Sequence, residues 1–200
     1  MMLIEETVVP QTALPVDEFK AHLRLGTGFS DDDIQDAVLE SFLRAALSAI
    51  EARTGKILIT RTFSWVLSAW RDIVGQPLPV APISQVTDVV MVSAAANATP
   101  VEPDNYLLVK DMHRPVLKPA GHCLPKIPIN GTVEIGFVAG IGADWGELPA
   151  DLGHAVLLLA AHYYEHRHEA TLTEASMPFG VSSLIERYKN VRVLGGGRIA

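Results

Sequence analysis

His162, Glu165 and His166 fall within "HYYEHRHEA", residues 162–170. The order His-x-x-Glu-His is the spacing of a helical zinc-hydrolase site. Two histidines four apart share a helix face and can ligate one ion, and the glutamate between them can act as general base. Such a site needs a third protein ligand. Only 34 residues follow His166, and the acids among them are Glu169, Glu174 and Glu186, none inside a second motif. Arg167 would add positive charge beside the ion. The aliphatic run before His162 suits packing better than an open aqueous cleft. A small zinc-dependent hydrolase is therefore the alternative reading. The simpler one is a helix emerging from a core, with His166, Arg167, His168 and Glu169 on its wet end.

Two further fragments carry less chemistry. "GIGADWG", residues 140–146, lies between a strand and a helix, where a dinucleotide fingerprint would sit. Its spacing is G-x-G-x-x-x-G, and no ribose-binding acid follows at the required distance. A sharp turn before Pro149 accounts for the glycines. Cys123 has His122 as its sequence neighbour, and adjacent residues on an extended chain point apart. No G-x-S-x-G elbow is present. We expect no catalytic residue, no cofactor and no metal.

The elements that must position these residues fall into three stretches. Val16 to Leu25 predicts a short helix broken by Gly26 and Gly28. Ser30 is a good N-cap, with Asp31, Asp32 and Asp33 in the first turn, for a helix running to Thr54, with Gly55 as its left-handed stop. Asp32, Asp36, Glu40, Arg44 and Glu51 share one stripe of that helix, and Leu39, Leu43, Leu47 and Ile50 share the opposite, apolar face. Residues 57–140 have strand texture. In "ILITRTFSWVL" (57–67), Ile57, Ile59, Phe63, Trp65 and Leu67 alternate with Thr60, Thr62 and Ser64. Strands are also predicted at 85–92, 105–110, 115–118 and 132–140, with Val133, Ile135 and Phe137 inward. Proline-rich segments near 77–82, 100–103 and 125–128 punctuate them. Helix then returns, over 149–168 with Pro149 at its first position, and over 181–190. The fold class is α+β: N- and C-terminal helices form a small bundle, with a mostly antiparallel β insertion between them. Residues 1–188 make one domain, and 189–200, with three consecutive glycines, make a flexible tail.

Composition narrows the function classes. The chain has 200 residues, 48% of them hydrophobic, enough for a sizeable core. One cysteine excludes an intrachain disulfide and a cysteine-rich metal knuckle. The start, "MMLIEETVVP", lacks the basic and apolar regions of a secretory leader. The longest apolar run, "AVLLLAA", falls far short of the ~20 residues that cross a bilayer. Net charge is -7, with four of the 16 basic residues and none of the 23 acids in residues 187–200. The body is thus acidic and the tail basic.

The order of features resembles the head–tail connector (adaptor) proteins of tailed bacteriophages and gene transfer agents, from about residue 14 to 190. "LPVDEFKAHLRLGTGFSDDDIQDAVLESFLRAALSAIEARTGK" is similar to the family's paired N-terminal helices, ending in an E-x-x-T-G-[KR] turn at Glu51 to Lys56. "LPVAPISQVTDV" resembles its proline-punctuated entry into a strand. "VEIGFVAGIG" and "LPADLGHAVLLLAAHYYEHR" resemble its strand, glycine loop and apolar helix. "MPFGVSSLIERYK" resembles its P-x-G-V-x-x-L-x-x-x-Y ending.

The resemblance implies a structural virion protein, assembled in the bacterial host cytoplasm and located in the neck at the head–tail junction. It implies a homo-oligomeric ring, a dodecamer, under the portal protein ring. A tail-side stopper or tail completion protein would sit on its far face. Double-stranded DNA would pass through during packaging and ejection without specific binding, and no membrane is involved. The tail residues Lys189, Val191, Arg192, Val193, Leu194, Arg198 and Ile199 would grip the portal. Leu158, Tyr163, Tyr164 and Arg167, on a helix with no charged residue from Leu152 to Tyr164, are the subunit-interface candidates.

Overall fold

The computed structural model describes residues 1–25, 33–167 and 177–190. Four α-helices and two antiparallel sheets build two hydrophobic cores. The helices are α1 (Val16–His22), α2 (Asp33–Thr54), α3 (Ala150–Glu165) and α4 (Phe179–Ile185), the last running into a 3-10 turn at Glu186–Tyr188. Leu39, Leu43, Ala46, Leu47 and Ile50 of α2 are buried with Leu152, Ala155, Val156, Leu159 and Ala160 of α3. Phe19 of α1 and Val181 and Ile185 of α4 close that core. The apolar stripe of α2 thus packs as its periodicity requires. Arg24, at φ 55, stops α1 before Leu25. Gly55, at φ 69, stops α2 with its N–H donating to Glu51 O at 2.8 Å, a conformation that glycine adopts without steric cost. The expected cap at Ser30, with Asp31 and Asp32, lies outside the described residues.

The larger sheet has the order β1-β2-β8-β4-β5 (Met2–Glu5, Arg61–Leu67, Thr132–Ala139, Ile83–Val92, Ala98–Pro100). The smaller has the order β3-β7-β6 (Gln76–Pro77, Val116–Pro119, Tyr106–Val109). Phe63 and Trp65 of β2 stand opposite Phe137 and Ile135 of β8 in register. With Leu67, Val133, Val89, Met91 and Leu117 they form the sheet core. The Phe63 and Phe137 rings stack at 5.7 Å.

Two expectations need correction. Residues 57–60 are not strand, because their backbone is spent on joining the two cores. Leu58 N donates to the Glu51 carboxylate at 2.8 Å, and Thr60 N donates to Gly142 O at 2.8 Å. Ile57 enters the sheet core while Leu58 and Ile59 enter the helical one. α3 begins after Pro149, which caps it, and ends at Glu165. β1 had no counterpart in the sequence pattern.

Arg61 ties the parts together. Its guanidinium is buried, and it donates to both Glu51 oxygens at 2.5 Å, to Glu5 of β1 at 2.7 Å and to Ile59 O at 3.2 Å. Burial pushes the Glu51 carboxyl up, while Arg61 and the Leu58 N–H pull against that shift. Arg61→Ala would leave the buried Glu51 carboxyl without its cation, met only by the Leu58 N–H. Breaking a buried pair from one side costs about 3–5 kcal/mol, so chemical denaturation of this variant should show a loss of that size. A loss under about 1 kcal/mol, the range of a surface pair, would refute the buried-network account.

Candidate functional site

The helix end around "HYYEHR" has a geometry that leaves little for a metal. The His162 and His166 rings lie 4.3 Å apart, but His166 Nδ1 is 2.9 Å from the His162 carbonyl oxygen, which it meets as a donor. Glu186, one of the possible third ligands, is instead paired with Lys189. Glu169 and Glu174 lie outside the described residues. Among the described residues no group of three or more His, Cys, Asp or Glu side chains is placed to hold a metal ion. The zinc-hydrolase alternative has no support here.

The glycine loop is equally structural. Gly140 sits at φ 155, and a Cβ there would lie 2.3 Å from Thr60 Cα. Gly142 O accepts from both Thr60 N (2.8 Å) and Thr60 Oγ1 (3.0 Å). Gly140 lets two backbones touch at the seam between the cores, while a side chain at Gly142 would meet Glu147.

The interface candidates on α3 are not equivalent. Leu158, Tyr163 and Tyr164 are half-buried against the helical core, and Arg167 is exposed. Tyr164 is held within the chain: Phe42 meets it edge-on at 5.8 Å. Arg167 lies over its ring at 4.4 Å and donates to its carbonyl at 2.7 Å. Burial raises the Tyr163 phenol above its ordinary value. Leu158 falls on the stripe with His154, His162 and Glu165, away from the fully buried positions.

The root of the C-terminal tail is a built structure. Val181, Ile185 and Tyr188 are buried. The Tyr188 hydroxyl donates to Asp151 Oδ1 at 2.8 Å, and Arg187 pairs with the other Asp151 oxygen at 2.8 Å. The ending P-x-G-V-x-x-L-x-x-x-Y therefore clamps α4 to the first turn of α3. A side chain at Gly180 would meet only open space, and nothing in the structure explains the glycine there.

Two residues further on, Asn190 Oδ1 accepts from Lys56 Nζ at 2.8 Å. Lys56 is fully buried. Burial lowers its pKa, and the more distant Asp111 carboxylate opposes the shift. A side chain added at Gly55 would come within 3.3 Å of the Asn190 amide. The E-x-x-T-G-[KR] turn is thus accounted for: Glu51 holds Arg61, Thr54 Oγ1 accepts from Lys56 N at 3.2 Å, Gly55 makes the turn, and Lys56 holds Asn190. Of the tail candidates, Lys189 belongs to this root. Val191, Arg192, Val193, Leu194, Arg198 and Ile199 lie outside the described residues. Sequence reasoning missed the Lys56–Asn190 contact and also Phe179, which is 88% exposed at the start of α4.

Solved structures share this arrangement over nearly the whole chain. A chain in the neck of an empty GTA particle, computed with C6 symmetry, is 56% identical, with a TM-score of 0.89 and coverage of 98% of this chain and 99% of that one. A chain in the neck of the native GTA particle, computed with C12 symmetry, is 52% identical, with a TM-score of 0.84 and the same coverage.

The chain belongs to the neck proteins of gene transfer agent particles.

A chain of the native gene transfer agent virion agrees, at 56% identity and a TM-score of 0.86 over 98% of this chain and 99% of that one. No family model and no curated protein matches the chain. It is a structural head–tail connector of the virion, and its histidines sit at a helix end of a neck protein.

The Lys56–Asn190 contact gives two predictions for this connector. Asn190→Ala strands a buried ammonium and should cost about 1–3 kcal/mol. Lys56→Met in the same background should recover most of that loss in denaturation measurements; equal losses from Asn190→Ala with and without Lys56 would refute the coupling. Because burial holds the folded-state pKa of Lys56 below the ordinary 10.5, the unfolded chain binds the extra proton there. Stability should therefore rise as pH climbs toward that value, relative to Lys56→Met. A stability difference between the two that is flat with pH would contradict the shift.

Proposed function

We propose that this connector closes into a dodecameric ring beneath the capsid portal, carries a tail-side stopper or completion protein on its far face, and lets double-stranded DNA pass without binding it specifically. The role is structural, with no catalysis. The observation that carries the reading is the end-to-end match, at 52–56% identity, to chains of gene transfer agent necks, one of them computed with C12 symmetry.

Physical features of the chain fit it. The first 186 residues hold 23 acidic against 12 basic side chains, so a channel lined by the body repels phosphates and lets a polyanion slide. Each ring contact joins two different surfaces of the chain, head to tail. Leu158, Tyr163, Tyr164 and Arg167 are the α3 residues we assign to the neighbouring copy. Segment 189–200, with Lys189, Val191, Arg192, Val193, Leu194, Arg198 and Ile199, is the portal grip. It holds alternating apolar residues flanked by arginines, as suits a peptide that orders against a partner surface. Tyr188 and Asn190 fix its starting point on the body.

Deleting 191–200 spares Asn190 and so keeps the contact with Lys56. The truncated connector should unfold at the wild-type temperature yet fail to decorate portal rings in electron micrographs. Decoration at wild-type level would remove the tail from the portal contact.

A further inference from the structure

The root of the tail borders a cleft of about 300 Å³ lined by His113, Arg114, Arg187, Lys189 and Asn190. No acid lines it. The partners of Arg187 and Lys189 are Asp151 and Glu186, which are not part of the lining. Arg114 is exposed and has no carboxylate at ion-pair distance among the described residues. Cationic side chains gathered with no acid in the lining favour a carboxylate or phosphate.

His113 and Arg114 belong to the turn of the β6–β7 hairpin. Asp111 holds that turn rigid by accepting from both of their backbone N–H groups at 2.7 Å. The opposite end of the same hairpin begins with the 3-10 turn Pro103–Asn105, which is fully exposed. It presents Glu102 and Asp104, neither of which meets a basic side chain among the described residues. The four residues of β6 separate the two ends, about 13 Å at strand rise. One rigid hairpin therefore carries an acidic tip at one end and a wall of the donor-lined cleft at the other.

We propose that the cleft is a carboxylate-binding site for the Glu102–Asp104 turn of a neighbouring copy of this chain. The proposal rests on the ring reading, and it names one contact that closes the ring. A head-to-tail interface needs two complementary surfaces on each copy, and these two have opposite charge. Close charge pairs at an interface, once desolvated, set which partner and which register are accepted.

The test uses the full chain with portal rings and measures the connector concentration at which closed rings form. Arg114→Glu should leave the unfolding temperature unchanged and raise that concentration about tenfold or more. The pair Glu102→Lys with Asp104→Lys should do the same. Combining all three substitutions should bring it back toward the wild-type value. Arg114→Glu rings forming at the wild-type concentration, or a combination no better than Arg114→Glu, would overturn the proposal. So would a wild-type cleft that Arg114→Glu disables only for DNA retention, because the ligand would then be phosphate. A wild-type chain that forms no ring removes the ring reading itself, and this contact with it; a wild-type ring untouched by the variants removes this contact alone.

Discussion

The protein is organised around the buried guanidinium of Arg61. Arg61 opens β2, and its guanidinium meets α2 through Glu51, β1 through Glu5 and the seam backbone through Ile59 O. The helical and sheet cores are separate clusters of side chains, so something other than a shared apolar interior must fix how they meet. Apolar contact has no direction and would tolerate sliding. A guanidinium fork matched to a carboxylate has a fixed geometry. Desolvating the charges is costly, and the return is a defined register between the layers. The Thr60–Gly142 contacts and the Gly140 approach repeat this logic along the seam with backbone groups.

Much of this was legible in the sequence, for reasons that differ by element. The α2 stripe of Leu39, Leu43, Leu47 and Ile50 is a one-sided helix, and one-sided burial leaves a periodic trace. Phe63, Trp65 and Leu67 alternate because β2 presents one face to the sheet core. The trace fails where a segment serves two cores at once. Ile57 and Ile59 alternate correctly and yet point into different clusters, since residues 57–60 bridge the layers. β1 is short and exposed at every residue, so burial imposes no pattern on it. The Lys56–Asn190 contact joins positions 134 apart. Its near end was visible as the last position of a recognised turn, but nothing in sequence spacing names the far end.

The same contrast explains the metal and nucleotide lookalikes. Spacing can put two histidines on one helical face, but a site also needs convergence from other elements, and only the fold supplies that. Here His166 turns to the His162 carbonyl, and the nearest elements contribute Phe42 and Arg167 to Tyr164. The resemblance read from the order of segments was the better guide because order reflects the whole fold. The neck structures narrow it from tailed bacteriophages and gene transfer agents together to gene transfer agents.

In the proposed role, a neck component must hold its shape while a polyanion moves past it, and must also attach to something it was not folded with. The chain separates these demands by position. The buried charge is matched, Arg61 with Glu51 and Glu5, and the exposed Arg187 is matched at the surface by Asp151. Arg114, which meets no carboxylate among the described residues, lines the cleft where the described body ends at Asn190. No ion pair within the described body uses Arg114, so its hydrogen-bonding capacity is open to a partner. Tyr188 and Asn190 then act as the joint, securing the last described residues to α3 and to the α2 turn, which is what the proposed portal grip by the segment beyond Asn190 requires.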